Sequence, residues 1–365
     1  MGSRLSAPGP QERRFAAYIE GLANAAGHED RHAPLKNYCK GLLLPGERKS
    51  IEPMAARLDP ENVQPVRQSL HHLVAKAPWS DETLLDEVRD HVLPAMRKRG
   101  SVVAWIVDDT GFPKKGTHSV GVARQYCGQV GKQDNCRVAV SLSVATWSSS
   151  LPIAYRLYLP KEWAEDSERR EKTEVPKEVE FQTKPEIALD LIRAAVAASL
   201  VRGVVLADAA YGINTEFRDG VSELDLQYVV GVQSSMTVWE PGKQPLPAKP
   251  RGRMGRPPRL LQRTTDHQPV SVKQLAMSLP STAFREITWR EGTDRKLRSL
   301  CRRSRTCSSS RLRESGTTPG GMVADRVAAS GERASQILGI DAAAHHQAQS
   351  FGQDGQTPLD HRTGL

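Results

Sequence analysis

The sequence predicts an α/β fold in which a mixed-sheet core follows a domain of short helices. Three observations carry that reading. Apolar residues between Phe15 and Leu93 recur at helical spacing, as in Phe15, Ile19 and Leu22, and again in Val66, Leu70, Leu73 and Val74. The period then changes. Val102–Val107 is an unbroken, largely β-branched run that reads as a strand buried on both faces, and Cys136–Thr146 alternates small polar with apolar residues. Further on, the apolar runs Gly203–Leu206 and Gln227–Val232 are separated by a helical stretch.

Taken in order, residues 1–14 are expected to be disordered and 15–98 to form the helical domain, punctuated by Pro53, Pro60, Pro65, Pro78 and Pro94. Ser80 reads as a helix cap, with Asp81 and Glu82 in the first turn. The core spans 99–299. Its first strand, Val102–Val107, ends in Asp108 and Asp109, and Gly111 and Pro113 break it. An Asp-Thr-Gly turn after a core strand explains that stretch as well as a site does. Ser119–Tyr126 pairs back as a hairpin, Cys136–Thr146 follows, and Leu151–Tyr158 extends the meander. Residues 161–184 form a polar insertion, a loop or peripheral helices. Pro185–Leu200 is a helix with Pro185 and Glu186 in its first turn. Gly203–Leu206 is a strand leading to Asp208, Ile213–Gly220 a short helix, and Gln227–Val232 another strand.

Antiparallel strands first, then strands returning through helices, is the order of a ribonuclease-H-like fold. A right-handed crossover would lay Val204–Leu206 parallel to the first strand. Asp108 or Asp109 would then meet Asp208 at the carboxyl end of the sheet, where sites of α/β proteins form. Adjacent carboxylates repel and stay ionised at neutral pH only beside a cation. Two Mg²⁺ (or Mn²⁺) ions roughly 4 Å apart would fill that role. Two unrelated turn aspartates are the plainer alternative.

The 365 residues carry a net charge of +9, a balance suited to a polyanionic partner without requiring one. No apolar run is long enough to span a bilayer, and the start, MGSRLSAPGPQERR, lacks the apolar stretch of a signal peptide. Five cysteines without a CxxC pair fit reduced thiols in a cytosolic protein. Arg251, Arg253, Arg256, Arg259 and Arg263 lie in an acid-free, Gly- and Pro-rich segment within the basic loop 241–263. They read as DNA-phosphate contacts or as a solvated basic loop. Lys114 and Lys115, just after the first acids, read as DNA contacts or as a solvent-facing turn. Tyr211 reads as core or as a base-stacking ring.

Several long segments carry a family resemblance. WIVDDTGFPKKGTHSVGVARQYCGQVGKQDNCRVAVSLSVAT, YLPKEWAEDSERR, EFQTKPEIALDLI, VLADAAYG and QYVVGV, in this order, resemble a bacterial insertion-sequence transposase of the DDE superfamily, over about Phe15 to Arg298. The resemblance implies a core that cuts mobile-element ends and joins them to target DNA. It also implies a homodimer on paired ends, and it makes Asp109 and Asp208 two of three metal-binding acids, with Asp108 beside the first. A shared motif contains Lys184, to which it assigns no role.

The third acid, a Glu on a late helix, has no counterpart. Residues 300–365 change composition and read as an aberrant tail of low order, with no Trp or Tyr and Phe351 as the one Phe. A reading-frame change near Leu297–Arg303 is the expected cause. Leu359–Gly364 can be encoded so that a one-base shift reads Trp-Ile-Ile-Glu-Arg-Asp, which resembles the Glu-bearing helix. Glu286, Glu291 and Asp294 do not replace it, because Phe284–Trp289 reads as a strand. The chain is thus expected to be an impaired transposase, with a non-catalytic DNA-binding remnant and a metal-dependent DNA nuclease as alternatives.

Overall fold

The computed structural model describes residues 9–240, 243, 246–247, 262–280 and 282, and also the backbone of strands at 285–291, 296–301, 303–305, 307–308, 322–325 and 337–340. The chain divides into two compact units. One comprises Met1–Ser101 with Thr146–Ala154, the other Val102–Ala145 with Tyr155–Leu365.

Among the described residues the first unit contains five α-helices: α1 (Pro10–Ala25), α2 (His32–Leu43), α3 (Ile51–Leu58), α4 (Val63–Ala75) and α5 (Asp81–Arg99). Pro10, Pro53 and Pro65 lie in first turns, where a missing N–H costs nothing. The Ser80 hydroxyl accepts from the Thr83 amide at 3.2 Å, as its sequence context predicts. Pro94 does not end α5, contrary to its expected role as punctuation. It sits on an exposed position, where water can satisfy the carbonyl that proline leaves without a donor. Ile19, Leu22, Ala23, Ala26, Leu35 and Leu73 form one apolar cluster, and Met54, Ala55 and Leu70 a second. The Trp79 indole closes the first, donating to the Leu73 carbonyl at 2.7 Å.

The second unit begins with β1 (Ala104–Pro113), β2 (Ala123–Cys127), β3 (Lys132–Ala145) and β4 (Ser150–Leu157). From Tyr155 onward β4 belongs to this unit, and it pairs with β3. Two short helices, α6 (Lys161–Ala164) and α7 (Ser167–Lys172), occupy the polar insertion. Then come α8 (Lys184–Ala197), β5 (Val204–Ala207), α9 (Ala209–Gly212), α10 (Thr215–Glu223) and β6 (Tyr228–Val232). The sheet runs β2-β3-β1-β5-β6. β3 is antiparallel to β1 and β2, while β5 is parallel to both β1 and β6. This is the mixed sheet that the strand order predicts.

Two local expectations are corrected. β1 does not stop at Val107. Its ladder with the 14-residue β3 runs unbroken from Ala104↔Ala145 to Pro113↔Cys136, so the long partner carries Asp108 and Asp109 inside the strand. Only the parallel pairing with β5 ends near the acids, at Ile106↔Leu206. The segment Ser119–Tyr126 does not pair back on the first strand either. Its strand, β2, lies outside β3, because β3 occupies the place beside β1.

After β6 come β7 (Thr237–Trp239), β8 (Val270–Ser271), α11 (Val272–Met277), β9 (Arg285–Glu291), β10 (Lys296–Cys301), β11 (Arg303–Arg305), β12 (Cys307–Ser308), β13 (Met322–Asp325) and β14 (Ile337–Ile340). β14, β13 and β11 continue the main sheet beyond β6. β9 and β10 form a separate antiparallel pair, and β12, β7 and β8 a small sheet. Within 300–365 the described residues are thus short strands, and the rest of that expected tail lies outside the described residues.

Candidate active site

The acids converge because β1 and β5 are parallel. Their register pairs each residue of β1 with the residue 100 positions later, up to Ile106↔Leu206. Asp108 and Asp208 each lie two residues past that last pair. Beyond it β5 ends and α9 begins, with the Asp208 carboxylate capping the Ala210 amide at 2.9 Å.

Side chains alternate along a strand, so Asp108 and Asp109 occupy opposite faces of β1. Asp109 shares its face with the buried Trp105 and Val107, and with Val140 across the ladder. α8 packs over β3, and its first residue reaches this carboxylate: Lys184 Nζ lies 2.5 Å from Asp109 Oδ2. Both side chains are mostly buried, at 27% and 30% exposure. Lys184 Nζ also lies 5.7 Å from the centroid of the Tyr158 ring. The N-terminus of α8 is fixed by reciprocal bonds between Thr183 and Glu186, which hold Glu186 below its ordinary carboxylate range.

On the other face the Asp108 carboxylate accepts from the Asp109 amide at 2.8 Å, and Ser141 donates to the Asp108 carbonyl. Partial burial pushes the Asp108 carboxyl above its usual range. The charges of Asp109 and Asp208 add to that push, against the amide bond, which lowers it. Tyr211, the third residue of α9, is 1% exposed. Burial raises its hydroxyl strongly, and the charges of Asp109, Asp208 and Asp108 raise it further. That hydroxyl is buried, with no hydrogen-bond partner among the described residues. Gly212 lets α9 lie this close to the sheet, since a Cβ there would fall 1.8 Å from the Gly231 carbonyl. Close approach, rather than turn freedom, is therefore what demands glycine.

Asp109 and Asp208 both act on Asp108, and all three act on the buried Tyr211 hydroxyl; carboxylate and hydroxyl oxygens are the hard donors that Mg²⁺ or Mn²⁺ takes. They fit such an ion in chemistry. Among the described residues no group of three His, Cys, Asp or Glu side chains is already assembled tightly enough to hold a metal. Next to Asp109 the position of a cation is taken by the Lys184 ammonium.

The other sequence candidates fall elsewhere. Lys114 and Lys115 follow the far end of β1, and at about 3.3 Å per residue the strand carries them some 16–20 Å from Asp109. Arg251, Arg253, Arg256 and Arg259 lie outside the described residues, as does Asp294. Glu286 and Glu291 are on β9, in line with the strand expected there. The sequence reading left Lys184 without a role and did not foresee a buried Tyr211 hydroxyl within the influence of the acids. One signal for Lys184 was available: a cation at the first position of a helix opposes the helix dipole, so its place has another cause.

Comparison with known proteins identifies the family. One relative is the probable transposase for insertion sequence element IS701 of Microchaete diplosiphon, 30% identical over 196 residues. The match covers 53% of this chain and 47% of the relative, so the chain spans about half the length of the curated protein that it matches. No helix among the described residues is long and apolar enough to cross a membrane. A family model described as DDE superfamily endonuclease matches residues 21–296, well over half of the chain, which therefore belongs to the DDE superfamily of endonucleases.

Proposed function

We propose that the chain is a DNA transposase, built to cut the ends of a mobile element and join them to target DNA. The observation that best supports this reading is the parallel pairing of β1 with β5, which brings the ends that carry Asp108, Asp109 and Asp208 to one edge of the sheet, where all three charges act on Tyr211. Asp109 and Asp208 are the metal-holding pair, and Asp108 shapes their field from the opposite face of β1. Two Mg²⁺ (or Mn²⁺) ions bound there would supply an activated water or 3′-hydroxyl and neutralise charge on the leaving oxygen of the phosphodiester. The chain's own part is to hold the two carboxylates in place and to keep the buried Tyr211 hydroxyl neutral beside them. The family resemblance supports a homodimer acting on paired ends. It also supports work in the cytoplasm on nucleoid DNA, with the basic segment containing Arg251–Arg259 gripping phosphates.

We read no counterpart of a third acid in the late sequence, so strand transfer by this chain should be weak or absent while DNA binding persists. The test is incubation with labelled element-end duplex, target DNA and Mg²⁺ or Mn²⁺. Salt-sensitive DNA binding that survives Asp109→Ala and Asp208→Ala, with no joined product from the parent, is the expected outcome. Robust joining by this same chain would refute the impairment, and cleavage without joining would favour a nuclease. Absence of DNA binding would overturn the transposase reading.

A further inference from the structure

We propose that Lys184 couples metal binding to DNA binding: it neutralises Asp109 until a phosphate of bound DNA draws the ammonium away and frees the carboxylate. This rests on the reading of Asp109 and Asp208 as the metal-holding pair.

Four observations point to it. Lys184 makes the one ion pair with any of the three acids among the described residues, since Asp108 and Asp208 bond only to backbone amides. The pair is mostly buried, so the contact is more than surface decoration. Its position at the first residue of the 14-residue α8 opposes the helix dipole, and Thr183 with Glu186 already satisfies the capping needs of that helix. Helix stability therefore does not explain a lysine there. Finally, the Tyr211 hydroxyl, buried and without a hydrogen-bond partner among the described residues, lies under the influence of the same three carboxylates, so a polar group is still unsatisfied there.

The consequence follows from charge. A divalent ion that takes Asp109 must displace or share with an ammonium already on that oxygen, and the two cations repel. Without DNA, Lys184 competes with the metal. With DNA, a phosphate oxygen offers the ammonium an anion close by, and the competition ends. Metal and DNA then bind cooperatively, each tightening the other by the same factor. The device would keep the site poorly loaded until the substrate is in place.

The test measures Mn²⁺ affinity of the full chain by calorimetry or electron paramagnetic resonance, with and without a duplex of element-end sequence. In the parent, DNA should tighten Mn²⁺ by about tenfold, a typical coupling. Lys184→Met should bind Mn²⁺ without DNA about as tightly as the parent does with it, and should show no further gain from DNA. Lys184→Arg, which keeps the charge, should retain coupling of the same sign. An unchanged or weaker DNA-free Mn²⁺ affinity in a folded Lys184→Met chain, checked by circular dichroism, would overturn the proposal. Asp109→Asn and Asp208→Asn separate the two failures. If neither alters Mn²⁺ binding, the metal-site reading itself is wrong. If both weaken it while Lys184→Met changes nothing, only the coupling role falls.

Discussion

The two faces of β1 differ more than neighbouring residues of one strand usually do. On one face Trp105 and Val107 are buried, Asp109 is ion-paired to Lys184, and Gly111 is pressed against Cys127. On the other, Ile106 is partly covered, Asp108 and Thr110 are exposed, and Phe112 is 46% exposed. One backbone thus presents a packed face that fixes a carboxylate and an open face that leaves its neighbour to solvent. The contrast teaches that position along a strand does not decide the role of an acid. The partner elements above each face do.

That contrast can be broken by substitution. Trp105→Ala should be the costliest change. The ring is fully buried and its indole donates to the Val201 carbonyl at 3.0 Å, so a loss of about 3–5 kcal/mol is expected from urea denaturation. Gly111→Ala comes next on the same face. A Cβ there would sit 2.7 Å from Cys127 Sγ and 3.0 Å from its Cα, and the crowding should cost about 1–3 kcal/mol by the same measurement. If either change proves neutral, the packed face is not holding Asp109 in place.

The open face should respond weakly, and in part with the opposite sign. The Asp108 carboxyl titrates above its ordinary value, mainly through partial burial and then through Asp109 and Asp208. The folded chain therefore holds that proton to higher pH than the unfolded chain does. Stability falls as pH rises through the window between the ordinary carboxylate value, about 4, and the raised folded one. Asp108→Asn should remove the penalty. The variant should melt higher than the parent above that window, and the difference should shrink as pH falls through it. A difference that grows toward low pH would contradict the direction of the shift. Phe112→Ser should be the mildest change, about 1 kcal/mol, because the ring is only half buried on this face.

Much of the framework was legible from residue patterns. The β-branched run before Asp108, the alternation of Cys136–Thr146, the short run before Asp208 and the Ser80 cap each reflect a local physical preference, and each appears near its expected place. Parallel pairing of β1 with β5 followed from the handedness of crossovers, a rule general enough to apply without coordinates. The end of β1 was misplaced because Gly111 and Pro113 look like punctuation, while the length of β3 decides how far the ladder runs. The order of β2 and β3 was misjudged for a related reason. Strand neighbours are chosen by competition among segments, and proximity in sequence is only one term.

The sequence alone determined that two acid-bearing strands exist and that the chain resembles the DDE superfamily, because apolar periodicity and motif order are written residue by residue. Only the tertiary structure decided which of the adjacent acids is held, and by what. Asp109 meets Lys184 because a 75-residue detour through three strands and two short helices returns the first turn of α8 to that face of the sheet. Asp108, one residue earlier, points the other way. A pairing across that distance depends on where the sheet and its covering helix come to rest, which no local pattern encodes.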